Sequence, residues 1–131
     1  MIVLDASAYV MAATERTNAA DRLLDQINRE QCHSPHHIDA EIGQALRRMA
    51  MRGVLGDEAA EMALSNAAQV IDERHEIFGV LSATAWALRH RVSFYDALYV
   101  ALAVVLDAPL VTADARLTRT PLPCTVELVT G

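Results

Sequence analysis

The stretch YDALYVALAVVL, residues 95–106, decides how the rest of the chain is arranged. It is apolar in every direction around a helix, and helices of this kind lie inside a fold. Its only charged residue is Asp96, in the first turn. A carboxylate there gains from the positive end of the helix, but it needs a partner once it is buried. We therefore predict a buried helix with a cationic group beside Asp96.

Short apolar strands are predicted on either side of this helix. Residues 2–4 (IVL) form a run that ends at Asp5, and residues 110–112 (LVT) form another that is followed by Asp114. Further strands are predicted at residues 31–33, 70–71 and 125–129. Because helices separate these strands and no hairpin signal occurs, the pattern favours an α/β sandwich around a small parallel sheet.

Helical periodicity fills the intervals between the strands. Ser34 as N-cap and Pro35 as first helical residue predict the start of a helix that Gly53 ends. The other helices are predicted over residues 6–13, from 17 or 18 past 27, over 57–69 and over 79–91, with Leu24 and Leu64 on packed faces. A chain of 131 residues without repeats or linkers suits one domain, residues 1–131.

The composition excludes several classes of function. All 11 basic residues are arginine, which excludes a P-loop lysine and Schiff-base catalysis. No apolar run reaches the roughly 20 residues that span a bilayer, and the first residues lack the basic segment of a signal peptide. We expect a cytoplasmic protein with no membrane partner. The net charge of −6 disfavours nucleic-acid binding unless acidic residues hold divalent metal.

Four carboxylates stand out by position. Asp5 and Asp114 each follow a strand, Asp96 lies in the first turn of the apolar helix, and Glu41 borders an apolar helix face. Sites in parallel sheets form beyond the carboxyl ends of strands, and carboxylates that meet there repel unless a cation lies between them. Oxygen ligands favour Mg²⁺ or Mn²⁺, ions that support in-line displacement at phosphorus. Taken singly, each acid is better explained as a helix cap or a surface charge than as a site residue.

Three segments carry a family resemblance: residues 2–8 (IVLDASA), 95–103 (YDALYVALA) and 110–114 (LVTAD). In order and rough spacing they resemble PIN-domain ribonucleases, in particular the VapC toxins of bacterial toxin–antitoxin pairs. The resemblance implies a PIN-like three-layer α/β/α sandwich and an endoribonuclease that depends on Mg²⁺ or Mn²⁺. It further implies a VapB-like antitoxin, a structured tRNA or rRNA substrate and a homodimer. A PIN nuclease without an antitoxin and a non-catalytic PIN-like binding module are the alternatives.

The resemblance also implies roles for individual residues. Asp5, Asp96 and Asp114 correspond to catalytic metal ligands, with Glu41 completing the shell or orienting the attacking water. Ser7 corresponds to a hydroxyl that supports the site, although it is equally explained as a helix N-cap. One or two metal ions are compatible with this set.

Two positions leave alternatives open. Asp39 lies two residues from Glu41, about 200° away around a helix, so only one of them points into a shared site. The apolar run after Glu41 resembles the family and favours Glu41, with Asp39 as the alternative. Where the family often carries a further acid after Asp114, this chain has Arg116, which would weaken a second metal site or contact RNA phosphate.

Other polar residues are interpreted as structural. None of the five histidines has metal-ligand spacing. Tyr95 and Tyr99, one helical turn apart, are predicted to pack in the core, with base stacking as the alternative. Arg47, Arg48 and Arg52 form either a phosphate track or a solvated helix face. The early helices, rich in alanine and leucine, predict either ordinary packing or a groove for an antitoxin helix.

Overall fold

A computed structural model describes residues 1–130, and it confirms the α/β class with helices between parallel strands. The elements follow in the order β1 (Ile2–Leu4), α1 (Ala6–Thr14), α2 (Asn18–Arg29), β2 (Cys32–Pro35), α3 (Ile38–Met51), α4 (Asp57–Val70), β3 (Glu73–His75), α5 (Val80–Ala87), α6 (Phe94–Leu106), β4 (Leu110–Thr112), a 3-10 helix (Ala115–Thr118) and β5 (Val126–Leu128).

The strands form one sheet in the order β3-β2-β1-β4-β5, and every neighbouring pair is parallel. β1 is central and completely buried, with Ile2 paired to Cys32 on one side and Val3 paired to Leu110 on the other. The chain leaves β1 towards β2 and β3, and later returns to the opposite side of β1 as β4. This reversal makes a switch point between β1 and β4, where parallel sheets commonly place their sites.

The helices cover both faces of the sheet. α1, α3 and α4 pack on one another, whereas α5 packs on α6, and α6 lies over β1, β2 and β4. Right-handed crossovers explain why the helices divide between the two faces. The chain crosses the sheet in one direction from β1 to β3 and in the other direction from β3 to β5, so the connecting helices of the two halves lie on opposite faces. The architecture is the three-layer sandwich that the resemblance implied.

The predicted helix start at Ser34 and Pro35 is wrong. Both residues belong to β2, and α3 begins at Ile38. The Ser34 hydroxyl donates to the carbonyl of Leu4 (2.6 Å) across the sheet, so it is not available as a helix cap. Pro35 pairs with His75 at the end of the strand. Ser34 and Pro35 favour a helix start locally, but their pairing with neighbouring strands places them in the sheet instead.

The strand predicted at residues 70–71 is also misplaced. α4 continues to Val70, and β3 lies three residues further on, at Glu73–His75. β3 is an edge strand that is exposed or half-buried along its length and carries only polar side chains. An apolar pattern therefore does not identify it. Leu24 and Leu64, predicted on packed faces, are both exposed.

α6 is buried along its middle only. Residues 97–103 are buried, whereas Tyr95, Val104 and Val105 are exposed, so the prediction of a helix enclosed from end to end is wrong at its termini. The buried turns pack on the central strands and fix the position of the first turn, which carries Asp96. Among residues 1–130, every helix is too short or too polar to cross a membrane.

Candidate active site

Asp5 occupies the junction between β1 and α1. Its Oδ1 accepts hydrogen bonds from the Ala8 amide (2.9 Å) and the Ser7 hydroxyl (2.7 Å), which makes it the N-cap of α1. Its Oδ2 accepts from the hydroxyl of Thr112 at the end of β4. The residue is 5% exposed. Burial raises the pKa of the Asp5 carboxyl from 3.8 to about 6, although these hydrogen bonds oppose the shift.

Ser7 and Thr112 join the ends of the two central strands. Their hydroxyl oxygens are 3.2 Å apart, and the Ala113 amide donates to Ser7 Oγ (3.0 Å). The Asp114 amide donates to Thr112 Oγ1 (3.0 Å). Ser7 is therefore both near the acids and a link between α1 and β4. Sequence reasoning missed Thr112, although its place as the last residue of β4, two residues before Asp114, puts it at the strand end where the site forms.

Asp96 enters from α6. Ser93 is the N-cap, and its hydroxyl accepts from the Asp96 amide (3.2 Å). Burial raises the pKa of the Asp96 carboxyl, and the neighbouring Asp114 and Glu41 carboxylates raise it further. The charge of Arg116 lowers the pKa of the Asp96 carboxyl, but the Arg116 guanidinium pairs with Asp114 and not with Asp96. Asp96 thus lies within the field of two other acids.

Glu41, and not Asp39, faces these acids. The Tyr99 hydroxyl on α6 donates to Glu41 Oε1 (2.7 Å), and His37 Nε2 lies 3.4 Å from the same oxygen. Asp39 instead receives two hydrogen bonds from Arg74, at 2.7 Å from Nε and 2.8 Å from Nη2. Tyr99 does pack in the core as predicted, but it also connects α6 to Glu41. Tyr99 follows Asp96 by three residues, so both lie on the same side of the helix, and this spacing could have identified Tyr99 from the sequence.

Asp114 and Arg116 form an ion pair. Asp114 caps the 3-10 helix through the Arg116 amide (3.0 Å), and the Arg116 guanidinium donates to both carboxylate oxygens. These hydrogen bonds hold the pKa of the Asp114 carboxyl below its ordinary value. Arg116 is largely exposed, so its guanidinium can exchange Asp114 for another anion without leaving a buried charge.

The four acids share one cavity of about 240 Å³. Its wall also contains Ser7, Arg48, Tyr99 and Arg116. A neighbouring cavity of about 370 Å³ has Glu41, Asp96 and Arg116 in its wall as well, and it adds Arg91. Because the two cavities share these three residues, they adjoin and form one groove lined by both acids and arginines. Such a groove can hold a cation beside a phosphodiester.

Comparisons with known proteins agree with this geometry. The PIN domain family matches residues 2–122. Ribonuclease VapC1 of Mycobacterium tuberculosis (strain ATCC 25618 / H37Rv) is 43% identical over 128 residues, which cover 97% of this chain and 96% of the relative. Ribonuclease VapC9 of the same strain is 42% identical over 120 residues, covering 92% of this chain and 91% of the relative.

Solved structures share the fold. VapBC2 from Rickettsia felis, bound to a DNA fragment from its promoter, has a TM-score of 0.72 at 16% identity and covers 98% of both chains. VapC20 of Mycobacterium tuberculosis, a sarcin-ricin loop cleaving toxin, has a TM-score of 0.69 at 16% identity, covering 92% of this chain and 100% of the other. The family match and the identity to the curated relatives decide the assignment: this chain belongs to the PIN-domain family, among the VapC ribonucleases.

Proposed function

We propose that this protein is a metal-dependent endoribonuclease that acts as the toxin of a toxin–antitoxin pair. The substrate is a structured RNA, tRNA or rRNA, in the cytoplasm, and residues 1–131 act as one domain. Support for the activity comes from relatives named as VapC ribonucleases and from the groove described above. Support for the toxin role comes from the fold shared with VapBC2 and with the toxin VapC20.

The observation that carries the proposal is the convergence of Asp5, Glu41, Asp96 and Asp114 on one cavity. They come from four separate elements, so local structure alone does not explain their meeting. Burial and mutual repulsion raise the pKa values of Asp5 and Asp96, which is a cost to the folded protein. Structures retain such a cost where the clustered charge has a use.

The donor set fits a hard divalent cation. The cavity wall contains carboxylate and hydroxyl oxygens but no histidine or cysteine within the described residues. Oxygen donors of this kind favour Mg²⁺ or Mn²⁺, and we propose that Asp5, Asp96 and Asp114 hold the ion. When bound, the ion supplies charge stabilisation at the scissile phosphate and lowers the pKa of water.

Glu41 is positioned to orient the attacking water and to take its proton. One of its oxygens is held by Tyr99 and lies near His37, which fixes the direction of the carboxylate. The second oxygen remains for the water. A carboxylate held in this way needs little reorganisation during the reaction.

The arginines of the groove bind the RNA backbone. Arg48 and Arg116 line the acidic cavity, and Arg91 lines its extension. Guanidinium groups pair well with phosphate oxygens, and Arg116 can turn from Asp114 towards a phosphate. This placement supplies local positive charge in a chain whose net charge is −6.

We further propose that a VapB-like antitoxin places an apolar helix face between α1, α2 and α4. A groove of about 340 Å³ lies there, lined by Tyr9, Ala12, Leu24, Ile27, Met62 and Ala63 among others. The exposed Leu24 and Met62 leave apolar surface that no described residue covers. Grooves of this kind accept amphipathic helices through anchors spaced three or four residues apart.

The test is regulated expression in a bacterial host, followed by mapping of RNA 5′ ends. We expect growth arrest and one dominant cleavage site, both absent for Asp96→Asn. Asp107→Asn is the matched control, because Asp107 is an exposed acid at the other end of α6 and asparagine tolerates its left-handed backbone (φ 51°). Purified protein should cleave the mapped RNA with Mn²⁺ and lose that activity in excess chelator.

The outcomes separate the alternatives. Wild-type cleavage by purified Asp96→Asn would contradict the proposed chemistry. Absence of cleavage by the parent protein, with RNA binding intact, would favour a non-catalytic binding module. Cleavage without an antitoxin gene beside the coding sequence would favour an RNA-processing nuclease.

A further inference from the structure

A second group of metal-ligating side chains lies on the β2–β3 edge of the sheet. His33, Glu73 and His75 each offer one ligand atom, and these atoms all lie within 4.8 Å of one another. None of the three lines the acidic cavity. Sequence reasoning found no ligand spacing here because His33 and His75 are 42 residues apart and meet only through strand pairing.

The strand register brings the three side chains to one face. His33 on β2 pairs with Glu73 on β3, and paired residues of neighbouring strands point to the same side. His75 follows Glu73 by two residues, so it points to that side as well. Arg74 points to the other side, where it contacts Asp39 of α3 and the Ala67 carbonyl of α4. The cluster therefore lies on the face of the sheet opposite α3 and α4.

Two of the three distances between ligand atoms are close to those around a tetrahedral ion. His33 Nδ1 is 2.9 Å from His75 Nε2 and 3.7 Å from Glu73 Oε2. Two ligand atoms about 2.0–2.1 Å from a tetrahedral zinc ion are about 3.3 Å apart. The two nitrogens need to separate by only about 0.4 Å, and the carboxylate needs to approach by a similar amount.

Burial and access also suit an ion. His33 is buried, and its Nδ1 shares a hydrogen bond with His75 Nε2 that a bound ion would replace, while its Nε2 has no hydrogen-bond partner among the described residues. The side chain of Glu73 is 62% exposed, which leaves a route from solvent. We propose that His33 Nδ1, His75 Nε2 and Glu73 form a site for Zn²⁺ or a similar divalent transition metal, distinct from the acidic cavity.

The ligand types predict the selectivity of this site. Two imidazoles and one carboxylate favour zinc over magnesium, and three protein ligands leave one position for water or another small ligand. A bound ion would tie β3, a three-residue edge strand, to β2. We therefore expect Zn²⁺ to raise the melting temperature through this site, independently of RNA cleavage.

The test is titration of metal-free protein with Zn²⁺ against a chromophoric chelator, with Co²⁺ absorption as a second readout. The titration is run on the parent and on Asp96→Asn, which weakens the acidic cavity. We expect at least one equivalent of Zn²⁺ in the parent and one in Asp96→Asn, and visible absorption of the Co²⁺ form typical of tetrahedral coordination. In the Asp96→Asn protein, His75→Ala should weaken Zn²⁺ binding by more than about 100-fold, the upper figure for losing only an outer-shell partner.

Further variants keep the test decisive. Glu73→Ala changes an exposed side chain and should also weaken Zn²⁺ binding without unfolding the protein. His90→Ala removes an exposed histidine outside the cluster and should leave binding unchanged. Zn²⁺ binding that is absent from the parent, unaffected by both cluster variants, or lost on Asp96→Asn alone would overturn the proposal.

Discussion

Asp5 shows how a single residue can stabilise local structure and still cost the fold free energy. It caps α1 and accepts from Thr112, yet burial raises the pKa of its carboxyl to about 6. At neutral pH the folded protein therefore holds an ionised carboxylate that is less stable there than in the unfolded chain. A cation bound beside the Asp5 carboxylate would offset this cost, which is consistent with a role in metal binding.

We predict a measurable pH dependence of stability from Asp5. The folded protein binds its proton more tightly than the unfolded chain, so the free energy of unfolding falls as pH rises from about 4 to about 6 and then levels off. At about 1.4 kcal/mol per pKa unit, the contribution is up to about 3 kcal/mol. Asp5→Asn removes it, and the variant should be more stable than the parent at pH 7.5 in chelator.

Urea unfolding across pH 4–8 measures this effect. Asp107→Asn serves as control, since Asp107 is exposed, and its difference from the parent should not vary with pH. Added Mn²⁺ should stabilise the parent more than Asp5→Asn. An Asp5→Asn protein less stable than the parent at pH 7.5 would contradict this account.

The comparison of Glu41 with Asp39 shows what sequence can decide at this scale. Helical geometry predicts that only one of the two acids faces the site, and the apolar run after Glu41 favours Glu41. The partners that hold each acid in place, Tyr99 for Glu41 and Arg74 for Asp39, are 58 and 35 residues away in the chain. Contacts at that separation leave no local pattern, so only the structure could supply them.

At the scale of elements, the buried body of α6 holds its first turn, and with it Asp96, in a fixed position at the site. Its middle turns are buried, and its first turn, capped by Ser93, presents Asp96 to the cavity. The position of the carboxylate therefore depends on a helix end as well as on the packed helix body. Rigid support of this kind is what a metal ligand requires.

We predict that Ser93→Ala lowers the free energy of unfolding by about 1 kcal/mol, because it removes the N-cap hydrogen bond. Because the same bond restrains Asp96, the affinity for Mn²⁺ should also fall. Urea unfolding and a Mn²⁺ titration measure the two effects. Ser65→Ala is the matched control: its hydroxyl donates to the Glu61 carbonyl within α4, far from any helix start, and both quantities should be unchanged. Equal effects of the two substitutions would refute the role of the cap.

Elements with an apolar pattern were predictable, and elements defined by pairing were not. β1, β4 and α6 have distinctive sequences because burial on the sheet demands apolar side chains. β3 is polar and exists because it pairs with β2 at the edge of the sheet. Ser34 and Pro35 carried a valid helix signal that strand pairing overrode, which is a tertiary effect that no short window contains.

At the scale of the molecule, the groove between α1, α2 and α4 and the acidic cavity are separate surfaces. We predict that Met62→Arg abolishes neutralisation by the antitoxin without reducing RNA cleavage, because it places a charge in the apolar groove. Met62 is 64% exposed, so the substitution should not unfold the protein. Co-expression rescue of growth and a binding assay with purified antitoxin measure the effect.

Met51→Arg is the matched control for this prediction. Met51 is a methionine of similar exposure (70%) at the end of α3, and it does not line the groove. It should leave antitoxin binding intact. Loss of neutralisation with Met51→Arg, or its retention with Met62→Arg, would exclude this groove as the docking surface.

The pairing of β1 with β4 also sets when the acidic cavity can form during synthesis. β1 is synthesised before β4. Val3 can therefore pair with Leu110, and Asp5 can accept its bond from Thr112, only after more than a hundred further residues have been added. At about 5–20 residues per second, that interval lasts several seconds. A nascent chain that stops before Asp114 lacks one of the four acids and the strand that orders another. The proposed toxic activity would therefore arise only after β4 and Asp114 have been synthesised.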